Sequence, residues 1–385
     1  MYSFIGLLLI FAVLVQSRIE VDLYEHKPSE KHVKRLFKRS LQRDVRFNDS
    51  VVLNKFLNGE YYGEIKVGSP AKTFKVIFDT TWADSWLPSS HCSWNEIVCK
   101  LHTQYDSSAS SSYVPNETRF INITDNQFSL WGFLATDTFH LAHINLPNQT
   151  FLEATHLSIN PFWHYRADGF IGLAFKEHTL FNVTPFFYNL IRQGLIKENI
   201  FTFYMNRDET TTRAGKLILG GTQRSHVQND TLTTLKVTEK SYWMIKIDNI
   251  FARMNKTDYP IINNIKAFFD TSANAITGPA DAIMKLNYML NAIYVPYLNM
   301  YSVNCRKYAK LPTIHFVMNG TEFIIQSKYY VQRMTFQNIE ACFSPFVPNP
   351  DPNSSVWELG GAFMMEFYTE FDMDNSMVRI GQTIF

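Results

Sequence analysis

Short apolar runs alternate with polar turns over most of the chain, the pattern of half-buried strands. Tyr61 to Val67 alternates and stops at the turn signal Gly68-Ser69-Pro70. Phe74 to Phe78 reads as a strand running into Asp79. Phe120–Ile123 and Leu130–Leu141 predict a hairpin across Thr124-Asp125-Asn126-Gln127. Asp168 to Leu173 predicts a buried strand after a turn, and Lys216 to Thr222 closes the first half. Ser241 to Ile247, Trp357 to Phe363, Phe367 to Asp372 and Met377 to Gly381 predict strands in the second half. Helical signals are few. Pro185–Gln193 stops at Gly194, and Ala280–Ala292 is the other. The fold class is mainly β.

The stretch Val76-Ile77-Phe78-Asp79-Thr80-Thr81-Trp82 delivers a carboxylate at the end of an apolar run. Ala267-Phe268-Phe269-Asp270-Thr271-Ser272 repeats it 191 residues later (270 − 79). Two Phe-Asp-Thr turns are what an internal duplication leaves, with one carboxylate from each of two related lobes. A carboxylate at a buried strand end is costly without partners. Two such loops facing each other supply them. Paired carboxylates cannot both ionise easily, so they share a proton and titrate together. One can then act as base toward a water while the other acts as acid toward a carbonyl.

Length and charge narrow the setting. At 385 residues, 46% hydrophobic, the chain can fill two domains. A net charge of +1 gives no argument for nucleic acid or a membrane surface. Residues 1–17 open on an almost wholly apolar run, Met1 to Val15, followed by Gln16 and Ser17, and read as a secretory signal too short to span a bilayer. No later stretch reaches 18 apolar residues, so no membrane span is expected. Cys92, Cys99, Cys305 and Cys342 are an even set, favouring disulfides in the two local pairs. Asn-X-Ser/Thr sequons begin at Asn48, Asn116, Asn122, Asn148, Asn182, Asn229, Asn255, Asn319 and Asn353, each a candidate glycosylation site. The expected destination is extracellular, with the lysosome as the alternative.

Residues 18–51 read as a pro-segment. Arg18 to Arg46 holds nine Lys/Arg against five Asp/Glu, and Lys38-Arg39 offers a dibasic cut. Ser29 is placed to cap a helix with Val33, Leu36, Phe37 and Leu41 on one face. It is either a solvated basic helix or a segment lying over an acidic cleft. Removing Arg18–Arg46 leaves 27 Lys/Arg and 30 Asp/Glu, a net −3, and that contrast favours the second. The lobes are then 52–224 and 225–385.

These residues carry a resemblance. From about Val52 to Phe385 the chain resembles the pepsin family of aspartic proteases, cathepsin D-like members above all. Tyr61-Tyr62-Gly63-Glu64-Ile65 looks like the first mature strand. Phe78-Asp79-Thr80 and Phe269-Asp270-Thr271 sit where the family has its active-site loops, and Trp86-Leu87-Pro88-Ser89 follows the first. Cys92/Cys99 and Cys305/Cys342 have the spacing of two family disulfides. The resemblance implies a bilobal fold, Asp79 and Asp270 as the catalytic pair, and Thr80 and Thr271 bonding across the lobes. It also implies a peptide or protein held in the interlobe cleft by a monomer without cofactor or metal.

The chain departs from the family at the chemistry. The family's Asp-Thr-Gly becomes Asp79-Thr80-Thr81 and Asp270-Thr271-Ser272. That glycine leaves room for the catalytic water, and Thr81 adds three heavy atoms there, Ser272 two. The supporting hydroxyls that follow become Trp82 and Ala273, implying lost donors to each carboxylate. At the flap tip the family's Tyr falls on Asp125, and its glycines on Asn126 and Phe128. Gly361 replaces an Asp after Leu359-Gly360. A mispositioned dyad or water by itself costs about 10²-fold. The expected function is therefore a pepsin-like homologue with proteolysis lost or very weak. The alternative is an acid aspartic endopeptidase using Asp79 and Asp270. His140, His143 and His156 invite a zinc reading, but no ligand spacing fixes a site, and surface histidines are favoured.

Overall fold

A computed structural model describes residues 18–26 and 60–384, apart from 125–127, 206–212, 297–299 and 337–338. The signal at 1–17, the helix expected near Ser29, the Lys38-Arg39 pair, Asn48 and the flap-tip residues Asp125 and Asn126 lie outside the described residues.

Ten strands come from the first half. They are β1 (Ile19–His26), β2 (Glu60–Val67), β3 (Lys72–Asp79), β4 (Trp86–Pro88), β5 (Val114–Thr124), β6 (Ser129–Leu141), β7 (Ile144–Leu157), β8 (Gly169–Gly172), β9 (Ile200–Met205) and β10 (Arg213–Leu219). The second half begins with β11 (Thr233–Lys236), β12 (Met244–Met254), β13 (Thr257–Phe269), β14 (Ile276–Gly278), β15 (Ile293–Val295), β16 (Met300–Val303) and β17 (Thr313–Met318). It continues with β18 (Thr321–Ile325), β19 (Gln332–Phe336), β20 (Ile339–Phe343), β21 (Phe346–Pro348), β22 (Trp357–Leu359), β23 (Phe367–Asp372) and β24 (Met377–Gln382). Among the described residues the helices are short, and Phe186–Arg192 and Ala280–Met289 fall where the sequence places them.

One sheet runs β11-β24-β23-β9-β10-β1-β2-β3-β8-β4-β7-β6-β5. A second runs β18-β17-β12-β13-β22-β14-β21, and a small third β15-β16-β20-β19. The first crosses the 224/225 boundary, because β23 of the second half pairs with β9 of the first, Thr369 opposite Phe203. Aromatic packing follows the same seam. Phe201 stacks on Phe371 at 4.8 Å, and Trp243 meets both. Phe201 and Phe371, one from each half, thus share a core at the seam.

The start of the chain departs from expectation. The basic excess of Arg18–Arg46 assigns residues 18–26, with the rest of that stretch, to a segment over the cleft. Their order, Ile-Glu-Val-Asp-Leu after Arg18, has a period of two, and they form a central strand of the sheet. Ile19, Val21 and Leu23 are buried. β1 pairs with β10 (Val21 opposite Leu217) and with β2 (Tyr24 opposite Tyr62). Glu20 meets Lys216 at 2.9 Å and Arg18 at 2.6 Å. Three buried apolar side chains and two satisfied ladder edges outweigh the net charge of the segment.

The two active-site loops have matching supports. β3 runs parallel to β8, with Asp79 opposite Gly172, and β13 runs parallel to β22, with Phe269 opposite Leu359. A Cβ at Gly172 would meet the Ala83 carbonyl carbon at 2.4 Å, and one at Gly360 the Ala275 carbonyl oxygen at 2.3 Å. Each loop needs a glycine there for backbone to pass backbone. Both local disulfides form, Cys92–Cys99 and Cys305–Cys342.

Candidate active site

Asp79 closes β3 and Asp270 follows β13, and both are nearly inaccessible, at 2% and 7% exposed. Each is carried by a strand whose last residues, Ile77-Phe78 and Ala267-Phe268-Phe269, are mostly buried, so the carboxylates are pinned by packing on both sides of the seam. Between them, Thr80 and Thr271 form a reciprocal lock. The Thr80 amide donates to Thr271 Oγ1 (3.1 Å), and the Thr271 amide to Thr80 Oγ1 (3.2 Å). Thr80 Oγ1 donates to the Phe269 carbonyl (2.7 Å), and Thr271 Oγ1 to the Phe78 carbonyl (2.5 Å). The expected cross-lobe bonding is present, and every bond is buried.

The supporting shell differs from what the sequence implies. Asp79 Oδ1 accepts from the Thr81 amide (2.7 Å) and from Thr81 Oγ1 (2.6 Å). Asp270 Oδ1 accepts from the Ser272 amide (2.7 Å), Ser272 Oγ (2.7 Å) and the Ala273 amide (3.2 Å). The donors lost at Trp82 and Ala273 are thus replaced by hydroxyls one residue earlier, because side chains at 81 and 272 fold back onto their own loop's carboxylate. Burial first, and then the Asp270 charge, push the Asp79 carboxyl above its ordinary range. The Thr81 hydroxyl and amide and the nearby Ser272 hydroxyl act in the other direction. The pair can share a proton. One oxygen of each carboxylate is nevertheless crowded. Asp79 Oδ1 already has two donors and Asp270 Oδ1 three, the full in-plane capacity of a carboxylate oxygen or more.

Two of the aromatic departures meet in space. Trp82 packs on Phe128 at 5.8 Å, and Phe128 on Phe162 at 5.6 Å. Trp82 stands where the family has a hydroxyl and Phe128 where the flap has a glycine, so two departures 46 residues apart are one contact joining the flap to the first active-site loop. The signal was present as two unexpected aromatics; their pairing was not. Tyr242, stacked on Phe268 at 5.0 Å, feels both carboxylates: burial and then the charges of Asp79 and Asp270 raise its hydroxyl.

Other singled-out residues resolve simply. Trp86 is core, 3% exposed and stacked on Phe170. Asn274 fills the space of the missing side chain at Gly361, where a Cβ would meet Asn274 Oδ1 at 2.4 Å. His140 bonds Asn145, whereas His156 bonds Glu96 and Ser129, so the three histidines do not converge on one site. Cys305, Glu340 and Cys342 lie together, but both sulfurs are in a disulfide. Asn122, Asn148, Asn182, Asn255, Asn319 and Asn353 are exposed. Among the described residues no helix is long and apolar enough to cross a membrane.

Known proteins resemble this chain over most of its length. The sequence model of the family described as eukaryotic aspartyl protease matches residues 60–383. Cathepsin D of Gallus gallus is 35% identical over 336 residues, 86% of this chain and 83% of the relative. Renin of Canis lupus familiaris is 35% identical over 333 residues, 86% and 80%. Cathepsin D of Homo sapiens is 33% identical over 345 residues, 86% and 82%. Two buried aspartates on duplicated Phe-Asp-Thr loops, the threonine lock and this match over most of the chain place it in the pepsin family of aspartic proteases.

Proposed function

We propose that this is a secreted pepsin-family protein whose proteolytic activity is lost or very weak, and whose cleft or surface binds a peptide or protein. The observation that carries the reading is the saturation of Asp79 Oδ1 and Asp270 Oδ1 by donors of their own loops. Peptide hydrolysis by such a pair needs a water held by both carboxylates. The Thr81 and Ser272 hydroxyls already occupy acceptor positions on one oxygen of each carboxylate and compete with that water. The Trp82–Phe128 contact adds bulk where the flap closes.

The signal over 1–17, a pro-segment over 18–51, lobes of 52–224 and 225–385, monomeric state and glycans on the nine sequons belong to the same reading, and four cysteines in two disulfides support an oxidising destination. A second reading, a working acid endopeptidase, is supported by the retention of both carboxylates, both buried, with the Asp270 charge helping to raise the Asp79 carboxyl.

Cleavage of a denatured protein between pH 3 and 6, with and without an active-site-directed peptide inhibitor and beside Asp79→Asn, separates the two. No cleavage from a folded, pro-segment-free sample is expected. Inhibitable cleavage that disappears in Asp79→Asn would establish the second reading.

A further inference from the structure

The outer face of the flap hairpin exposes apolar surface with no role in the fold. Alternation along β5 puts Phe120, Asn122 and Thr124 outward and Ile121 inward. In the ladder Phe120 lies opposite Phe133, and Asn122 opposite Trp131. Phe120 and Phe133 are 52% and 44% exposed and meet edge to face at 5.4 Å. Trp131 stacks on His156 at 3.5 Å, and Glu96 (2.9 Å) and Ser129 (3.0 Å) hold that imidazole in place. An open depression of about 510 Å³ runs along this segment, with Phe120, Asn122, Thr124 and Leu180 in its wall. Asn122 is the acceptor residue of a sequon, and Thr124 Oγ1 donates to Asn122 Oδ1 at 2.8 Å. Asn148, Asn182, Asn255 and Asn319 instead sit at positive φ. Asn122 has no positive φ and stands in extended backbone with Phe120 two residues before it on the same face and Trp131 across from it.

We propose that Asn122 carries an N-linked glycan whose first N-acetylglucosamine lies on the Phe120, Phe133 and Trp131 rings and clamps the two strands of the flap. The apolar face of a pyranose covers exposed ring surface, as any apolar contact does. Covalent attachment holds the sugar at high local concentration, so a contact too weak to capture free sugar is populated. A clamped flap also fits a cleft that holds a ligand without turning it over. The inference rests on the secretory reading, since the glycan is added on that route.

The test uses the full chain secreted from a eukaryotic host, with peptide mass mapping before and after glycosidase. Melting temperature and hydrogen exchange over Phe120–Thr124 are compared for the wild type, a form trimmed to one N-acetylglucosamine, and Asn122→Gln. The set is repeated in a Phe120→Ser/Phe133→Ser background. Expected are occupancy at Asn122, protection of the segment about 10-fold above Asn122→Gln, and melting about 2–4 °C higher. The single sugar should suffice, and the difference should vanish without the phenylalanines. Asn122 empty while other sequons are filled overturns the inference and leaves the secretory reading standing. No sequon filled overturns both. An undiminished Asn122→Gln effect in the serine background overturns the platform.

Discussion

Restoring glycine at both active-site loops should awaken proteolysis. In Thr81→Gly/Ser272→Gly the two hydroxyls at 2.6 Å and 2.7 Å from the carboxylate oxygens disappear, while the amides at 81 and 272 stay. A hydrogen bond to a charged group is worth about 1.5–3 kcal/mol. Displacing two of them to seat a bridging water therefore costs about 3–6 kcal/mol, which is about 10²–10⁴-fold in its occupancy. The Trp82–Phe128 contact remains, so the lower end is expected: cleavage of a denatured protein at pH 3–6 about 10²-fold above the starting protein. Two glycines add about 0.5–1 kcal/mol each of backbone entropy cost, so the variant should melt lower yet fold. Both hydroxyls favour the Asp79 anion, so their loss should raise that carboxyl further and move activity toward higher pH. A folded double variant with no gain, or a gain that survives Asp79→Asn in the same background, would refute the reasoning.

Thr271→Val removes the hydroxyl that donates to the Phe78 carbonyl and accepts from the Thr80 amide, leaving both buried; a loss of about 2–5 kcal/mol is expected in denaturant unfolding. Glu60 accepts from the Arg166 and Ala167 amides, and burial pushes its carboxyl up to about 7. The folded state thus holds a proton that the unfolded state has released. The stabilising contribution is complete below about pH 4.5 and is lost as pH rises through about 7, so Glu60→Gln should flatten the melting profile in that window. Opening Cys305–Cys342, which spans 37 positions, should cost about 4 kcal/mol against about 2–3 for Cys92–Cys99, which spans seven, when paired Cys→Ser variants are compared by denaturant unfolding.

The order of strands, the duplication, the two aspartates, the disulfide pairs and the helices after Pro185 and Pro279 were legible in the sequence, because each is written in local periodicity or in a short motif. The threonine lock was legible through its motif as well. What tertiary structure decided lies in directions and pairings. Thr81 and Ser272 read as obstructions, and their hydroxyls turned out to be the donors the carboxylates were expected to lack, since a side chain's partner depends on where its loop points it. Trp82 and Phe128 read as two separate losses and are one contact, because no pattern along a chain records which strands the fold lays side by side. Ile19–His26 read as part of a basic segment lying over the cleft, whereas its alternation placed it between β10 and β2. Net charge is summed over a segment, but burial is decided one side chain at a time, and only the assembled sheet shows which side each one takes.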